Sequence, residues 1–171
     1  MKEYISLIDA DRAPLGKVVP RGTPLQDGEH ILVVHVCIFN RAGQLLLQRR
    51  SQQKNSYPGY WDVSAAGGVR AGETGREAAV RETREELGLD ISLPGSAAVT
   101  LTFEGGFDDY YLVEADVQLS ALTLQTEEVS DARWATREEM LELLRRGELA
   151  PYWESFVHLL FDLHTHSGLK E

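Results

Sequence analysis

The chain has 171 residues, of which 43% are hydrophobic and 26% charged, and its formal net charge is −10 at pH 7. These values are typical of one folded domain of ordinary size, and the single cysteine excludes an internal disulfide. The sequence has no 18-residue apolar run, no signal-peptide pattern and no basic surplus, which argues against a membrane span, secretion and binding to a nucleic acid duplex, so we expect a cytoplasmic protein.

Short apolar segments bounded by turn residues predict a structure with many strands. In chain order the predicted strands are residues 4–9, 17–20, 31–39, 44–48, 61–65, 99–103, 110–119 and 129–135. A turn at 13–16 is expected to join the first two. The β-branched run 31–39 has the composition of a buried central strand and is expected to form a hairpin with the strand that follows it. Residues 51–60 are polar, contain Pro58-Gly59 and predict a loop.

Helix formers predominate in three further segments, which are residues 74–87, 138–146 and 153–164. Gly88 is expected to end the first of these helices. Strands combined with helices on both faces of a sheet indicate an α+β fold. We expect one domain with three parts, namely an N-terminal strand extension (1–29), a core (30–150) and a C-terminal helix (151–171). The tryptophans are all assigned to the hydrophobic core, and they are Trp61, Trp134 and Trp153.

Three glutamates crowd one side of the first predicted helix. At about 100° per residue, Glu82, Glu85 and Glu86 fall within a sector of about 100°, beside an apolar stripe suited to packing on a sheet. That stripe consists of Ala79, Val80, Thr83 and Leu87. Like charges four residues apart destabilise a helix, and a hard divalent cation such as Mg²⁺ would turn this cost into a gain. A metal site is one interpretation of the cluster, and a solvated helix face is the other.

The segment from Gly67 to Leu89, GGVRAGETGREAAVRETREELGL, which we call the box, resembles the signature of the Nudix hydrolases. That signature reads Gly, five residues, Glu, seven residues, Arg-Glu-aliphatic-x-Glu-Glu-x-Gly-aliphatic, and only Thr83 departs from it. The resemblance implies a Nudix-like α/β/α sandwich with a mixed β-sheet and a loop–helix–loop metal site. It also implies hydrolysis of the diphosphate linkage in a nucleoside diphosphate derivative or nucleotide, with Mg²⁺ or Mn²⁺ as cofactor.

The same resemblance implies roles for individual residues. The metal ligands would be the carboxylates of Glu82, Glu85 and Glu86 and the carbonyl of Gly67. Glu73 and Arg81 would hold the loop–helix–loop in shape. The metal would activate a water that attacks one phosphorus of the diphosphate.

A carboxylate acting as general base would accelerate that attack roughly 10²–10⁴-fold. Glu127 or Glu128, in the loop before the last predicted strand, is the candidate base, and Glu86 is an alternative. The predicted catalytic residues are therefore Glu85, Glu86, Glu127 and Glu128. An exposed loop without a catalytic role is the other interpretation of the Glu127–Glu128 pair.

Arg49, Arg50 and Lys54 form the densest basic cluster and are predicted to bind substrate phosphates. An ordinary basic strand end is the alternative. Several aromatic residues after the box either stack on a base or pack in the core, and core packing is the more common role. These residues are Phe103, Phe107, Tyr110 and Tyr111.

Residues 4–66 narrow the resemblance to Nudix proteins near isopentenyl diphosphate isomerase. In those isomerases a catalytic Cys and then a metal-binding His follow the Trp of this segment, where this chain has Ala66 and Gly68. The only thiol, Cys37, lies in a predicted buried strand and is expected to be a core residue. We therefore favour a hydrolase, and keep an isomerase-like enzyme and a catalytically idle Nudix ligand sensor as alternatives. The expected partner is a small nucleotide or diphosphate, and the N-terminal strands either cap the domain or pair in a homodimer.

Overall fold

In the computed structural model, which describes residues 3–166, seven strands form one sheet and two form a small second sheet. The strands are β1 (Tyr4–Ile8), β2 (Pro14–Pro20), β3 (Ile31–Phe39), β4 (Leu45–Arg50), β5 (Trp61–Asp62), β6 (Ala65–Gly68), β7 (Val99–Phe103), β8 (Gly106–Glu114) and β9 (Val129–Ala135). The large sheet has the order β5-β4-β3-β8-β7, with β6 beside β3 and β9 beside β4. Because β3 and β8 run parallel and the other pairs antiparallel, the predicted mixed sheet is confirmed.

The three predicted helices are present as α1 (Gly75–Leu87), α2 (Arg137–Arg145) and α3 (Glu154–Thr165). At the start of α1, the Thr74 side chain accepts a hydrogen bond from the Glu77 amide, and the Glu77 carboxylate accepts one from the Thr74 amide. Gly88 ends the helix in the left-handed region, with φ 69°. No helix within residues 3–166 is long and apolar enough to cross a membrane.

Side chains alternate along β3 and supply two hydrophobic cores. Val34, Val36 and Ile38 pack with α1 on one face of the sheet. Cys37 and Phe39 pack with α2 and α3 on the other face, and the thiol is buried as predicted. Helices therefore cover both faces, which confirms the α/β/α sandwich.

The turn between β1 and β2 lies earlier than predicted. Asp9 Oδ1 accepts hydrogen bonds from the amides of Asp11 and Ala13, and Arg12 takes a positive φ of 66°. Pro14 already pairs with Ile8, so the predicted turn at 13–16 is wrong and those residues belong largely to β2. The prediction depended on Pro14 and Gly16, but the turn is formed by the hydrogen bonds that the Asp9 side chain accepts from the backbone.

The strand predicted at 110–119 lies at Gly106–Glu114. Its start was obscured by Asp108 and Asp109, which are acidic and resemble turn residues. Within the sheet, Asp108 contacts His35 and Asp109 contacts Arg12, so both charges have partners. The strand ends at Glu114 because its neighbour β3 ends at the opposing residue, Phe39.

The segment predicted as one strand at 61–65 is divided into β5 and β6. Between them the chain changes neighbours, since β5 pairs with β4 and β6 pairs with β3. The Ser64 hydroxyl accepts a hydrogen bond from the Ile38 amide and donates one to the Leu46 carbonyl, which satisfies both strands where they separate. Trp153 does not lie in the core as predicted, because 83% of it is exposed.

Arg12 anchors the β1–β2 hairpin to the large sheet. Its guanidinium donates two hydrogen bonds to Asp109, at 3.0 and 2.6 Å, and Thr100 Oγ1 donates a third at 2.6 Å. The contact raises the pKa of Arg12, with the hydrogen bond to Asp109 as its main cause. Asp109 is buried, so its charge depends on these donors.

We expect Arg12→Ala to lower the free energy of unfolding by about 2–3 kcal/mol, because it leaves a buried carboxylate without its cation. Arg41→Ala is the matched control, since the Arg41–Asp116 pair is exposed on both sides and is expected to contribute less than about 1 kcal/mol. Urea unfolding of both variants measures the difference. Equal losses in the free energy of unfolding would show that the buried Arg12–Asp109 pair contributes no more than the exposed Arg41–Asp116 pair.

Candidate active site

A pocket of about 170 Å³ lies between α1, β6 and the loop before β9, and we call it the carboxylate pocket. It is lined by Glu3, Arg21, Lys54, Ala66, Gly67, Arg70, Glu82, Glu85, Glu86, Gln125 and Glu128. All four predicted metal-binding residues lie in it, as do two other predicted site residues, Lys54 and Glu128. The fold thus gathers residues from six separate segments of the chain into one small volume.

The three box glutamates do not form one solvated face. Glu82 and Glu86 are buried, whereas Glu85 is exposed. The helix presents Glu82 and Glu86 to the sheet beside Ala78, Ala79 and Thr83, so the buried side of α1 is wider than the predicted apolar stripe.

Glu86 is held by two donors from the sheet. Its Oε2 accepts hydrogen bonds from Gln48 Nε2 at 3.0 Å and from the Ala66 amide at 3.1 Å. Burial, reinforced by the nearby charge of Glu82, raises the pKa of Glu86 to about 8. Burial also raises the pKa of Glu82, against the opposing effect of Arg81.

Arg81 holds the loop–helix–loop together in the manner that the resemblance implied. Its guanidinium donates to both Glu73 oxygens, at 2.7 and 2.9 Å, to Glu82 at 2.6 Å and to the Gly68 carbonyl at 3.1 Å. The hydrogen bonds from Arg81 lower the pKa of Glu73. The Arg81–Glu73 pair therefore fixes the glycine-containing strand end against the helix.

Glu85 contacts a cation that the sequence analysis missed. Arg70 donates two hydrogen bonds to Glu85, both at 3.1 Å, and also contacts Glu3 at 2.7 Å. Arg21 donates to the other oxygen of Glu3 at 2.7 Å. Arg70 lies inside the box, so its place near the carboxylates could have been predicted from the sequence. The β1–β2 hairpin brings Glu3 and Arg21 to the pocket, and no local sequence pattern predicts this contact.

The structure separates the two candidate bases. Glu128 lines the carboxylate pocket and forms an ion pair with Lys54, while Glu127 is exposed in the turn and does not line the pocket. The ion pair joins the loop 51–60 to the loop before β9. Of the two, Glu128 is the residue placed to act on a ligand in the pocket.

The predicted phosphate cluster is also divided. Lys54 lines the carboxylate pocket, but Arg49 and Arg50 do not. Arg49 donates to the Gly59 carbonyl at 3.0 Å and lies over the Trp61 ring, which is the structural role of a strand end. Arg50 contacts Asp62 and the Ser56 carbonyl, at 3.3 and 2.9 Å.

Position 68 faces a cation. A Cβ added to Gly68 would lie 3.7 Å from the guanidinium carbon of Arg21. Ala66 lines the pocket without a thiol, and its amide donates to Glu86. The place where related isomerases carry a metal-binding imidazole is therefore bordered by a guanidinium, which suits an anion rather than a metal ion.

Within residues 3–166, no three acidic, histidine or cysteine side chains converge as a formed metal-ligand cluster. Glu82 and Glu85 face Arg81 and Arg70 instead. The donor types nevertheless fit a hard divalent cation, because carboxylate oxygens are its preferred ligands. The pKa values of Glu82 and Glu86 are raised because burial disfavours their negative charge. A metal cation in the pocket would compensate that charge.

Comparisons with known proteins agree with this geometry. Residues 29–156 match the family model described as the NUDIX domain. An uncharacterised Nudix hydrolase of Listeria monocytogenes is 51% identical over 164 residues, which cover 95% of each chain. An isopentenyl-diphosphate delta-isomerase of Escherichia coli is 30% identical over 157 residues, covering 88% of this chain and 84% of the isomerase.

Among solved structures, a Deinococcus radiodurans protein superposes with a TM-score of 0.77 at 29% identity, over 92% of this chain and 99% of that one. The match to the family extends far beyond the box and includes β6 and the loop that carries Glu128, whereas Glu3 and Arg21 of the pocket lie outside the matched range. The chain belongs to the Nudix family of hydrolases.

Proposed function

We propose that this hydrolase cleaves the diphosphate linkage of a nucleoside diphosphate derivative or nucleotide with the help of Mg²⁺ or Mn²⁺. One observation carries the proposal: the box carboxylates and three cationic side chains line the same small pocket. The cations are Lys54, Arg21 and Arg70. Such a pocket offers oxygen ligands to a metal ion and hydrogen-bond donors to the phosphates that share it.

In this proposal Glu82, Glu85, Glu86 and the Gly67 carbonyl hold the metal ion. When bound, the ion would activate a water and offset the negative charge of the leaving phosphate. Glu128 would accept the proton from the attacking water, oriented by its ion pair with Lys54. Glu85 has to leave Arg70 to bind a cation, and this exchange would free the Arg70 guanidinium for a phosphate oxygen.

The test is phosphate and nucleotide release from a panel of nucleoside di- and triphosphates, sugar nucleotides and dinucleotides, with Mg²⁺, with Mn²⁺ and with chelator. We expect hydrolysis of at least one nucleotide with metal and none with chelator. Hydrolysis that continues in chelator would contradict the metal-dependent mechanism. Isopentenyl diphosphate is included for the isomerase alternative, and no isomer exchange is expected because Ala66 and Gly68 replace the two catalytic groups.

Gly67 has to lack a side chain for Glu82 to occupy its place. A Cβ at position 67 would lie 2.0 Å from Glu82 Oε1 and 2.2 Å from its carboxyl carbon. We therefore expect Gly67→Ala to displace Glu82 and to weaken metal binding by about 10- to 100-fold, measured by the metal-induced shift in melting temperature. Gly68→Ala is the matched control, because its new Cβ meets nothing closer than 3.7 Å. Equal metal binding in both variants would remove Glu82 from the proposed ligand set.

A further inference from the structure

The N-terminal extension brings two side chains to the carboxylate pocket from outside the range of the family match. Glu3 directly precedes β1 and Arg21 directly follows β2, whereas the match begins at residue 29. The Arg21 amide donates to the Glu3 carbonyl at 2.9 Å, and the Ala71 amide donates to the Tyr4 carbonyl at 2.8 Å. These backbone hydrogen bonds hold the start of β1 beside the loop that leads into α1. Glu3 is therefore kept at the pocket by the main chain and not only by its carboxylate.

Arg70 lies between two carboxylates and uses a different edge of its guanidinium for each. Its Nε and Nη2 donate to Glu3 Oε1, at 3.0 and 2.7 Å. Its Nη1 and Nη2 donate to Oε1 and Oε2 of Glu85, both at 3.1 Å. A guanidinium has five N–H groups, two of them on Nη2, so each carboxylate has its own pair of donors. The contact with Glu3 therefore does not depend on the contact with Glu85.

Glu3 is a charged and well-placed partner for Arg70. Arg21 donates to its second oxygen, Oε2, at 2.7 Å, and this hydrogen bond lowers the pKa of Glu3. The carboxylate is thus ionised at neutral pH. The side chains of Glu3, Arg70 and Glu85 are all partly exposed, and ion pairs at such exposure are weak enough to exchange.

Glu85 is the proposed metal ligand that Arg70 holds most directly. Arg81 also donates to Glu85, at 3.3 Å, but its shorter hydrogen bonds go to Glu73 and Glu82. Within residues 3–166, the carboxylates that accept hydrogen bonds from Arg70 are those of Glu3 and Glu85. Without Glu3, the full attraction of the guanidinium would fall on Glu85, and a metal ion would have to compete with it.

We propose that Glu3 is a positioning residue of the metal site. It holds Arg70 by one edge while Glu85 exchanges the other edge for the metal ion, and it thereby raises the metal affinity of the pocket. The free edge of Arg70 then faces a pocket that contains the metal ion and accepts phosphate oxygens. The inference deepens the proposed function and rests on it for the role of Glu85 as a ligand.

The first test is the binding of Mn²⁺ without nucleotide, measured from the electron paramagnetic resonance signal of the free ion. Glu3→Gln should weaken binding about 2- to 10-fold, and Arg70→Gln should tighten it by a similar factor because the competing cation is removed. The double variant should bind like Arg70→Gln alone, since Glu3 acts through Arg70. Glu29→Gln is the matched control, because that carboxylate pairs with Lys17 outside the pocket and its loss should change nothing. Thermal unfolding in chelator checks that each variant is folded.

The outcomes separate this inference from the proposed function. If Glu3→Gln leaves Mn²⁺ binding unchanged, or weakens it equally with and without Arg70, Glu3 does not act through Arg70 and the inference is wrong. Neither result affects the proposed metal ligands. If the wild-type protein binds no Mn²⁺, or if Glu85→Gln binds it as tightly as the wild type, the proposed ligand set is wrong and the inference is wrong with it.

The second test observes the Arg70 Nε–H group by nuclear magnetic resonance during a titration with Mg²⁺. The signal is identified by its absence in Arg70→Lys. Because Nε donates to Glu3 and not to Glu85, the proton should stay protected from solvent exchange as Mg²⁺ binds. In Glu3→Gln the protection should be lost. If Mg²⁺ removes the protection in the wild-type protein, Arg70 leaves Glu3 together with Glu85, and the inference is overturned.

Discussion

Glu86→Gln is expected to stabilise the metal-free protein and, at the same time, to lower hydrolysis by at least about 10²-fold. The wild-type carboxylate is buried in contact with Gln48 and Ala66, and its pKa is raised to about 8. A glutamine keeps an oxygen for those two donors and carries no charge to be desolvated. The same change removes the negative oxygen that the proposed metal ion requires.

The expected pH dependence follows from the direction of the shift. The folded-state pKa of about 8 exceeds the unfolded value of 4.5, so between these values the folded protein binds a proton that the unfolded chain lacks. Unfolding then releases a proton, and the free energy of unfolding falls as the pH rises through this window, by up to about 1.4 kcal/mol per pH unit. Glu86→Gln should remove this component of the slope.

Thermal and urea unfolding at about pH 5 and about pH 8, with chelator and with Mg²⁺, measure both effects. In chelator, the stability gain of Glu86→Gln should be small at about pH 5 and large at about pH 8. With Mg²⁺, the wild-type protein should recover stability and the variant should not. Glu85→Gln is the control for charge removal, because Glu85 is exposed and should show no such gain. If Glu86→Gln is no more stable than the wild type at about pH 8, burial of the Glu86 carboxylate does not destabilise the metal-free protein.

The burial of charged side chains, which costs stability and serves function, also limits how far the sequence could predict the site. The box has fixed spacing on one helix, so local helical geometry is enough to identify Glu82, Glu85 and Glu86. The capping residue Thr74 and the terminating Gly88 confirmed the helix bounds to within one residue. The periodicity could not distinguish the buried pair from Glu85, because Glu82 and Glu86 lie on the side that packs against the sheet. A rule that places apolar residues inside and charged residues outside would not place Glu82 and Glu86 on the side of α1 that faces the sheet.

The cationic part of the site depends on tertiary contacts. Arg49 and Arg50 were predicted from local charge density, but they point into strand-end contacts outside the carboxylate pocket. Arg21 follows the β1–β2 hairpin, which is held to the large sheet in part by the contact of Arg12 with the buried Asp109. The residues in that anchor are 97 positions apart in the chain. Trp153 illustrates the same limit, since its size predicts burial and the structure leaves it 83% exposed.

Glu128→Gln is expected to lower kcat by about 10²–10⁴-fold while the KM changes little. Glu128 lines the carboxylate pocket together with the α1 carboxylates, and its ion pair with the Lys54 ammonium holds it in place. A glutamine keeps the size and the hydrogen-bonding oxygen but cannot accept a proton. The comparison is with Glu127→Gln, an exposed neighbour outside the pocket, which should retain activity within about twofold.

Measurements of metal binding distinguish the base from the metal ligands. Glu128→Gln should keep the metal-induced rise in melting temperature, whereas Glu86→Gln should lose it, because of these two residues only Glu86 belongs to the proposed ligand set. Lys54→Met should lower kcat less than Glu128→Gln, since it removes the residue that orients the base and leaves the base itself. If Glu128→Gln turns over at the wild-type rate, the proton acceptor is another group, and Glu86 becomes the candidate within the pocket. If instead Glu128→Gln loses both turnover and the metal-induced shift, Glu128 acts as a ligand, and the metal site extends across the pocket to the loop before β9.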